Sequence, residues 1–415
     1  MLSFSRFIGG MVILSAAMAQ TPAPSGTQHP SNAPALDNRD SPSEAGKNGP
    51  ALHSVGVKGT IDSGGYSASA VAKSQSALIG DMLKLQYRVL GRLYHLNDLS
   101  CSQEGQILNS LKQRPDDYGA NLAAGEFYFE HGASAKSLSY LEKARNLNPR
   151  DASALMLMGL AEEALGRFDS AEEQFSLAST FKPSEQNFFA WGTALVITGH
   201  SDRAVEAFRE AVTLHPQSVP LTIGLGAATY GEGNSSDALK ILLHAAEMDP
   251  SNGASYIFMA RIFGNAGTET TEAQVEEMKR LVHMAPDNAE ANYAYACSLR
   301  SMQLGEPNGP QSREAEELLK RSITLKPTFA DAHFELATLY AERGEYEGAI
   351  AEYREAIEAN PDLVEAHYRL GQAYLRAGQR DQAERELDVH RRLRQAQSQG
   401  LPAANRDSAS RCPAP

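Results

Sequence analysis

A fixed arrangement of small and bulky apolar side chains recurs along the chain with a period close to 34 residues. Each segment has a small residue in its first half, and a second small residue follows about a dozen positions later. Four positions after that comes a bulky apolar side chain, as in Ala204 with Phe208 and Ala349 with Tyr353. A spacing of four places both members of a pair on one face of a helix. The pattern therefore predicts two helices in each segment, packed closely where the small residues let the backbones approach.

Prolines mark the same period. They occur at positions 115, 149, 183, 216, 250, 286, 327 and 361, in steps of 34, 34, 33, 34, 36, 41 and 34 residues. Because proline cannot continue a helix, each one is expected to end the second helix of its segment. Glycines fall where the first helix should turn into the second: Gly132, Gly166, Gly199, Gly233, Gly344 and Gly378. A turn there needs a residue that tolerates positive φ.

This pattern resembles the tetratricopeptide repeat family, in which W-x2-L-G-x2-Y is followed by A-x3-F, then by A and P. The resemblance covers residues 116–397 as eight units and is most complete over 330–361. It implies an all-α fold, a right-handed α-solenoid of stacked helix-turn-helix repeats. Two units depart from the pattern. The fifth lacks the usual alanine register near 268–274, and the sixth has about seven extra residues around 305–310, expected as a loop between its helices.

The N-terminal residues have the pattern of an export signal. Arg6 precedes an apolar run over 7–18, and Ala17-Met18-Ala19 matches the small-x-small cleavage rule. We expect a signal peptide over 1–19, export to the periplasm or cell exterior, possible association with the envelope surface, and no membrane span after cleavage. A short membrane anchor is the alternative.

Between the signal and the repeats we expect a Pro-, Ser- and Gly-rich disordered linker over 20–76. Within it, 51–76 has two interpretations: more linker, or a short extended segment that docks along the first helices. Residues 77–115 have a helical pattern and are expected to be a degenerate cap that protects the first unit. The last helix should cap the other end, with a disordered tail over 398–415.

Composition and motifs argue against a nucleic-acid partner, against catalysis and against a metal site. Acidic residues outnumber Lys and Arg by 51 to 38, a formal charge of −13, which disfavours a nucleic-acid partner. H-E-x-x-H, G-x-S-x-G and C-x-x-C motifs are absent. Of the three cysteines, 101, 297 and 412, the disulfide state is left open. His333 and His367 occupy the same position in adjacent units, either as packing residues or as a ligand pair. We expect no enzyme, no catalytic residue, no cofactor and no metal.

The family resemblance implies that ligands lie on the concave surface made by the first helices. The matching fifth positions are Leu122, Met156, Phe189, Ile223, Ile257, Tyr293, Phe334 and Tyr368. Four residues later come Glu126, Leu160, Thr193, Ala227, Arg261, Cys297, Thr338 and Gln372. We call these two sets the inner row. The residues expected to bind a peptide are Phe189, Tyr293, Phe334, Tyr368, Thr338 and Gln372.

The inner row lacks the Lys and Asn that clamp the C-terminal carboxylates of heat-shock chaperones. It is largely apolar, with Glu290, Asp331 and Glu365 beside its C-terminal end. This composition predicts an apolar or aromatic protein segment as ligand, and the flanking acids favour one that also carries basic residues. The competing interpretation is that some of these side chains are core between helices. Glu352 is expected on the convex face.

The resulting functional hypothesis is a non-catalytic scaffold or adaptor that binds other proteins. Two alternatives remain: an accessory subunit of an envelope-assembly, secretion or carbohydrate-handling complex, and a self-assembling structural protein. The oligomeric state and the identity of the partner are left open.

Overall fold

The computed structural model describes residues 68–90, 101–264, 270–302 and 307–398. These ranges contain eighteen α-helices joined by short turns, and no strand. The predicted signal peptide over 1–19, the linker up to residue 67 and the tail over 399–415 lie outside the described residues, as do residues 303–306 of the sixth-unit insertion. Within the described ranges, every helix is too short or too polar to cross a bilayer.

The helices are numbered in chain order. The first ten are α1 (Ala68–Leu90), α2 (Cys101–Gln113), α3 (Tyr118–Glu130), α4 (Ser134–Leu147), α5 (Ala152–Ala164), α6 (Phe168–Phe181), α7 (Glu185–Ile197), α8 (Ser201–Leu214), α9 (Val219–Gly231) and α10 (Ser235–Met248). The remaining eight are α11 (Gly253–Phe263), α12 (Glu272–Met284), α13 (Ala289–Met302), α14 (Pro310–Leu325), α15 (Ala330–Glu342), α16 (Tyr346–Ala359), α17 (Val364–Arg376) and α18 (Arg380–Ser398).

From α3 to α18 the helices form eight consecutive pairs, which we call units one to eight. In seven of them the two helices pack on each other, and neighbouring units pack in chain order to give the right-handed α-solenoid. Each proline of the ladder lies two residues after a helix end, as Pro149 does after Leu147. Unit five is the exception, because α11 packs mainly against α13 of the next unit. Its departure from the sequence pattern therefore has a structural counterpart.

The predicted packing of bulky side chains against small residues is confirmed by the space around the glycines. A Cβ atom on Gly159 would lie 2.4 Å from the ring of Phe175, and one on Gly371 would lie 2.9 Å from Leu387. The bulky side chain of the second helix thus occupies the volume that the first helix leaves empty. The predicted turn glycines are confirmed as well: all six have positive φ, between 74° and 95°.

The segment expected as a single cap contains two helices with different positions. Helix α2 packs on α3, at the N-terminal end of the solenoid, as a cap would. Helix α1 instead contacts α7, α9 and α11, the first helices of units three, four and five. Residues 68–76, expected to be linker, belong to α1. The physical reason is that α1 carries apolar side chains such as Leu78 and Met82, which the concave face buries to 2% and 0% exposure.

Candidate functional site

The concave surface is lined by the first helix of each unit, and α1 lies along part of it. In units three and four the inner row is completely enclosed: Phe189, Thr193, Ile223 and Ala227 each have 0% exposure. Phe189 also packs edge-to-face against Phe208, with ring centroids 5.7 Å apart. The expected peptide anchor Phe189 is therefore not accessible to a partner in this conformation, because its side chain is buried in a core cluster to which α1 contributes.

Helix α1 runs from unit five towards unit two, opposite to the order of the repeats. Near its centre, the Asp81 carboxylate accepts a hydrogen bond from the Arg261 guanidinium on α11. Further along, Gln86 Nε2 donates to Glu163 Oε2 on α5, over 2.9 Å. At its end, Leu90 joins a buried cluster with residues of units two and three, among them Met156. At 23 residues, α1 is about 34 Å long, enough to follow these four units.

The contact between α1 and the concave face contains two carboxyl groups with shifted pKa values, Asp81 on α1 and Glu163 on α5. Burial acts to raise the pKa of Asp81, but the charges of Arg261 and Lys84 outweigh it and hold the pKa below its usual value. Burial also acts on Glu163, and there it dominates: the pKa of this carboxyl is raised to about 7, and the hydrogen bond from Gln86 offsets the shift only in part. Burial thus favours the protonated form of the Glu163 carboxyl, compared with a carboxyl in water.

In units six to eight the inner row consists of Tyr293, Cys297, Phe334, Thr338, Tyr368 and Gln372, which we call the C-terminal row. Its three rings are half-buried, and each has one aromatic neighbour beneath it. Tyr293 lies 5.0 Å from Phe329, Phe334 lies 5.6 Å from Tyr353 and Tyr368 lies 5.2 Å from His390, between ring centroids. The rings are therefore part core and part surface, which combines the two interpretations that the sequence left open.

The polar members of the C-terminal row differ in how they are held. The Thr338 hydroxyl is 2.8 Å from the Phe334 carbonyl and 3.1 Å from the Tyr353 hydroxyl, so its polar atom is engaged within its own unit. Gln372 is exposed. Cys297 is a free thiol with 6% exposure, and burial raises its pKa, which keeps it in the unreactive thiol form.

The acidic residues beside the C-terminal row are mostly paired within the solenoid. Glu290 forms an ion pair with Lys326 at 2.6 Å, and Glu365 forms one with Arg369 at 3.1 Å. Desolvation within the superhelix and the negative charge of Asp81 raise the pKa of Asp331. Among the described residues Asp331 has no ion-pair partner within 4 Å, so it is the one of the three acids with a free carboxyl.

The two histidines at equivalent positions make the same pair of contacts in adjacent units. Nδ1 of His333 lies 2.7 Å from Glu352 and Nε2 lies 3.0 Å from the carbonyl of Pro327. The corresponding distances from His367 are 2.7 Å to Glu386 and 3.1 Å to the carbonyl of Pro361. Both ring nitrogens are thus engaged, and each histidine ties its unit to the preceding proline. Throughout the described part of the chain, no group of three or more acidic, His or Cys side chains is placed to hold a metal ion.

Sequence reasoning missed this tie because different residue types make it. Asn121 donates to the carbonyl of Pro115, and Asn292 donates to that of Pro286. Tyr256 reaches Pro250 in the same way. The shared signal is a polar side chain six positions after the proline. Glu352, expected on the convex face from the sequence, is the residue whose carboxylate contacts Nδ1 of His333.

Comparisons with known proteins agree with this geometry. Models described as tetratricopeptide repeat match residues 134–185, 189–253 and 318–351, and one described as TPR repeat matches 337–378. The chain carries tetratricopeptide repeats. The matched segments cover parts of units one to four and of units six to eight, and of unit five they include only Gly253 at the start of α11.

Two curated relatives are similar over part of their length. The TPR repeat-containing protein YpiA of Bacillus subtilis is 20% identical over 264 residues, which is 63% of this chain and 52% of YpiA. The human protein O-mannosyl-transferase TMTC3 is 22% identical over 254 residues, 57% of this chain and 27% of TMTC3. The chain thus spans about half of the first relative and about a quarter of the second.

Among solved structures, a tetratricopeptide repeat protein from Parabacteroides merdae is 14% identical, with a TM-score of 0.42. The match covers 60% of this chain and 97% of that one. Proteins with these repeats generally mediate protein–protein interactions.

Proposed function

We propose that this protein is a non-catalytic scaffold that holds an apolar helical segment of another protein against its C-terminal row. The observation that carries the proposal is the position of α1. In units three to five, α1 lies along the same inner positions that continue into units six to eight. A concave face that receives an amphipathic helix of its own chain has the width and the apolar lining to receive another.

The C-terminal row supplies anchors of the type that dominates protein interfaces. Tyr293, Phe334 and Tyr368 follow one another by one unit each, and each exposes part of a ring that is already fixed from below. Fixed aromatic rings give large contact area with little loss of side-chain entropy. The free carboxyl of Asp331 lies beside the C-terminal row. It favours a partner segment that places a basic side chain next to it.

Export is part of the proposal, and its support is the N-terminal sequence. If the signal is cleaved after Ala19, mass spectrometry of the protein from its host will find Gln20 at the N-terminus. A chain that retains Met1 would contradict cleavage at this site and would favour the alternative of a short membrane anchor.

Site-specific photocrosslinking tests the docking site directly. Tyr368 is replaced by p-benzoylphenylalanine, and crosslinked peptides from the native host are identified by mass spectrometry. We expect one partner segment with apolar residues at helical spacing. The same replacement at Ala351, exposed on the outer helix α16, is the control.

A second variant separates docking from folding. Gln372→Arg adds a long side chain to the C-terminal row at an exposed position, whereas Ala351→Arg adds the same side chain and charge to the outer face. Both should keep the wild-type melting temperature. Gln372→Arg should abolish the crosslink from position 368 and Ala351→Arg should not. Equal crosslinking in both variants, or the same partner crosslinked from position 351, would refute the proposed site.

A further inference from the structure

Helix α1 lies inside the solenoid without being one of its repeats. It precedes the eight units, and ten residues, 91–100, separate it from α2. Its main contacts are with α7, α9 and α11, which are first helices that line the concave face. A segment of ten residues can span up to about 35 Å, so α1 has the reach to leave the groove while α2 stays on unit one.

The side chains of α1 are arranged as in a helical ligand. Leu78, Ile79, Met82, Leu83 and Leu85 are buried at 4% exposure or less. Lys84 and Arg88 are exposed. Among the charged side chains that the structure describes on this helix, Asp81 is the buried one, and it pairs with Arg261, the basic member of the inner row. An apolar stripe with one acidic side chain opposite an arginine is a recognition pattern as well as a packing arrangement.

The polar contacts of α1 leave acceptors and donors without partners. Gln86 Oε1, Arg261 Nε and Trp191 Nε1 are buried and have no hydrogen-bond partner among the described residues. Trp191 packs against both clusters to which α1 contributes. Unsatisfied buried polar atoms weaken an association. A helix that satisfied them would bind this surface more tightly than α1 does.

We propose that the concave face of units two to five is a binding site for an amphipathic helix with an inward acidic side chain, that α1 occupies it in the isolated chain, and that a helix of the same pattern from a partner protein takes its place. This site is separate from the C-terminal row, and it does not depend on binding there. Arg261 favours a bound helix with an acidic side chain, and the buried apolar surroundings of Phe189 and Ile223 favour one with an apolar stripe.

The test uses the full chain with a specific protease site inserted between Asn97 and Asp98. Cleavage leaves all residues present but removes the tether, whose effective concentration is on the order of millimolar. The probe is a fluorescent synthetic peptide with the sequence of residues 68–90. We expect it to exchange into the cleaved protein and to bind the uncleaved protein at least roughly tenfold more weakly, because tethered α1 competes. Trp191, the single tryptophan, should report release of α1 by a shift in emission.

A charge exchange provides the matched control. The Asp81→Lys peptide should bind the cleaved wild-type protein roughly tenfold or more weakly than the wild-type peptide. It should regain affinity for the cleaved Arg261→Asp protein. Rescue of this kind shows that the peptide occupies the groove and not another surface.

Four results would overturn the proposal. One is a peptide that binds cleaved and uncleaved protein equally, since it would then bind elsewhere. Another is a cleaved protein that holds its own fragment through dilution and peptide chase, since α1 would then be permanent core. The third is absence of the charge-exchange rescue. The fourth is a concentration-dependent dimer, measured by sedimentation, in which each α1 occupies the other copy.

If the cleaved protein aggregates, the uncleaved Asp81→Lys chain decides the question. Weakening the resident helix should then raise the affinity for the wild-type peptide at least roughly tenfold. An unchanged affinity in that chain would also overturn the proposal.

Discussion

Phe208 fills a slot between the first helices of units three and four. Its side chain is fully buried. A Cβ atom added to Gly192 on α7 would lie 2.4 Å from the ring, and one added to Gly224 on α9 would also lie 2.4 Å from it. The ring therefore has no space to move away from either helix. Gly192→Ala, made both in the wild type and in a Phe208→Ala variant, measures this constraint.

The expected energies differ in sign between the two backgrounds. In the wild type, forcing a methyl group into filled space costs up to about 3 kcal/mol, and alanine in a helix recovers about 1 kcal/mol relative to glycine. Gly192→Ala should thus destabilise by about 2 kcal/mol. Phe208→Ala alone should cost about 3–5 kcal/mol, and it removes the obstruction. In that background Gly192→Ala should stabilise by about 1 kcal/mol, a coupling of about 3 kcal/mol.

Urea unfolding followed by far-UV circular dichroism gives the stability of the whole array, and the emission of Trp191, next to the substituted glycine, reports the unit itself. Gly105→Ala is the control. It lies in α2, and a Cβ there would meet nothing within 4 Å. It should be neutral or stabilising by up to about 1 kcal/mol in both backgrounds. If Gly192→Ala destabilised both backgrounds equally, the Phe208 ring would not be what the methyl group meets, and the packing argument would fail.

Three further predictions concern turns and titration. Gly344→Ala should cost about 1 kcal/mol, since its φ of 79° suits glycine, and Gly344→Asn should cost less; equal losses in urea would contradict this. The hydrogen bond to Glu352 raises the pKa of His333 above 6.5, so its stabilisation is complete below pH 6.5 and is lost as the pH rises through the raised value. His333→Asn should remove that part of the melting-temperature profile, and an unchanged profile would argue against a charged His333. Because the pKa of Glu163 is raised from 4.5 to about 7, its contribution is complete below pH 4.5 and lost as the pH rises through about 7. Glu163→Gln should therefore stabilise the protein above pH 7, by an amount on the order of 2 kcal/mol, and leave it unchanged at pH 4.5; a gain at both pH values would contradict the assignment.

What the sequence by itself determined is the repeat. The period, the prolines after each second helix and the glycine turns all reflect contacts within a unit or between adjacent units. Gly159 with Phe175 and Gly371 with Leu387 are such contacts, each 16 positions apart. Because the same contact is made once in every unit, it appears in the sequence as periodicity, and the space that each bulky side chain needs can be inferred without coordinates.

The tie between a polar side chain and the preceding proline is also made once per unit in several units, yet it was missed. Asparagine, tyrosine and histidine make it in turn, as Asn292, Tyr256 and His333 show. Residue identity hides a contact when several side chains satisfy the same carbonyl. The partly buried state of Phe334 and Tyr368 was likewise undecided in the sequence, because it depends on which residues of the second helix lie beneath the rings.

Only the tertiary structure decided where α1 lies. Its apolar pattern predicts a helix with a face to bury, and burial on the first unit or along the groove would satisfy that pattern equally. The contacts that decide between them join Gln86 to Glu163, 77 positions away, and Asp81 to Arg261, 180 positions away. They occur once and have no counterpart in other units, so no periodicity reveals them. Phe189 belongs to the core cluster that α1 residues share, and local pattern does not specify the position of a helix from outside the repeat.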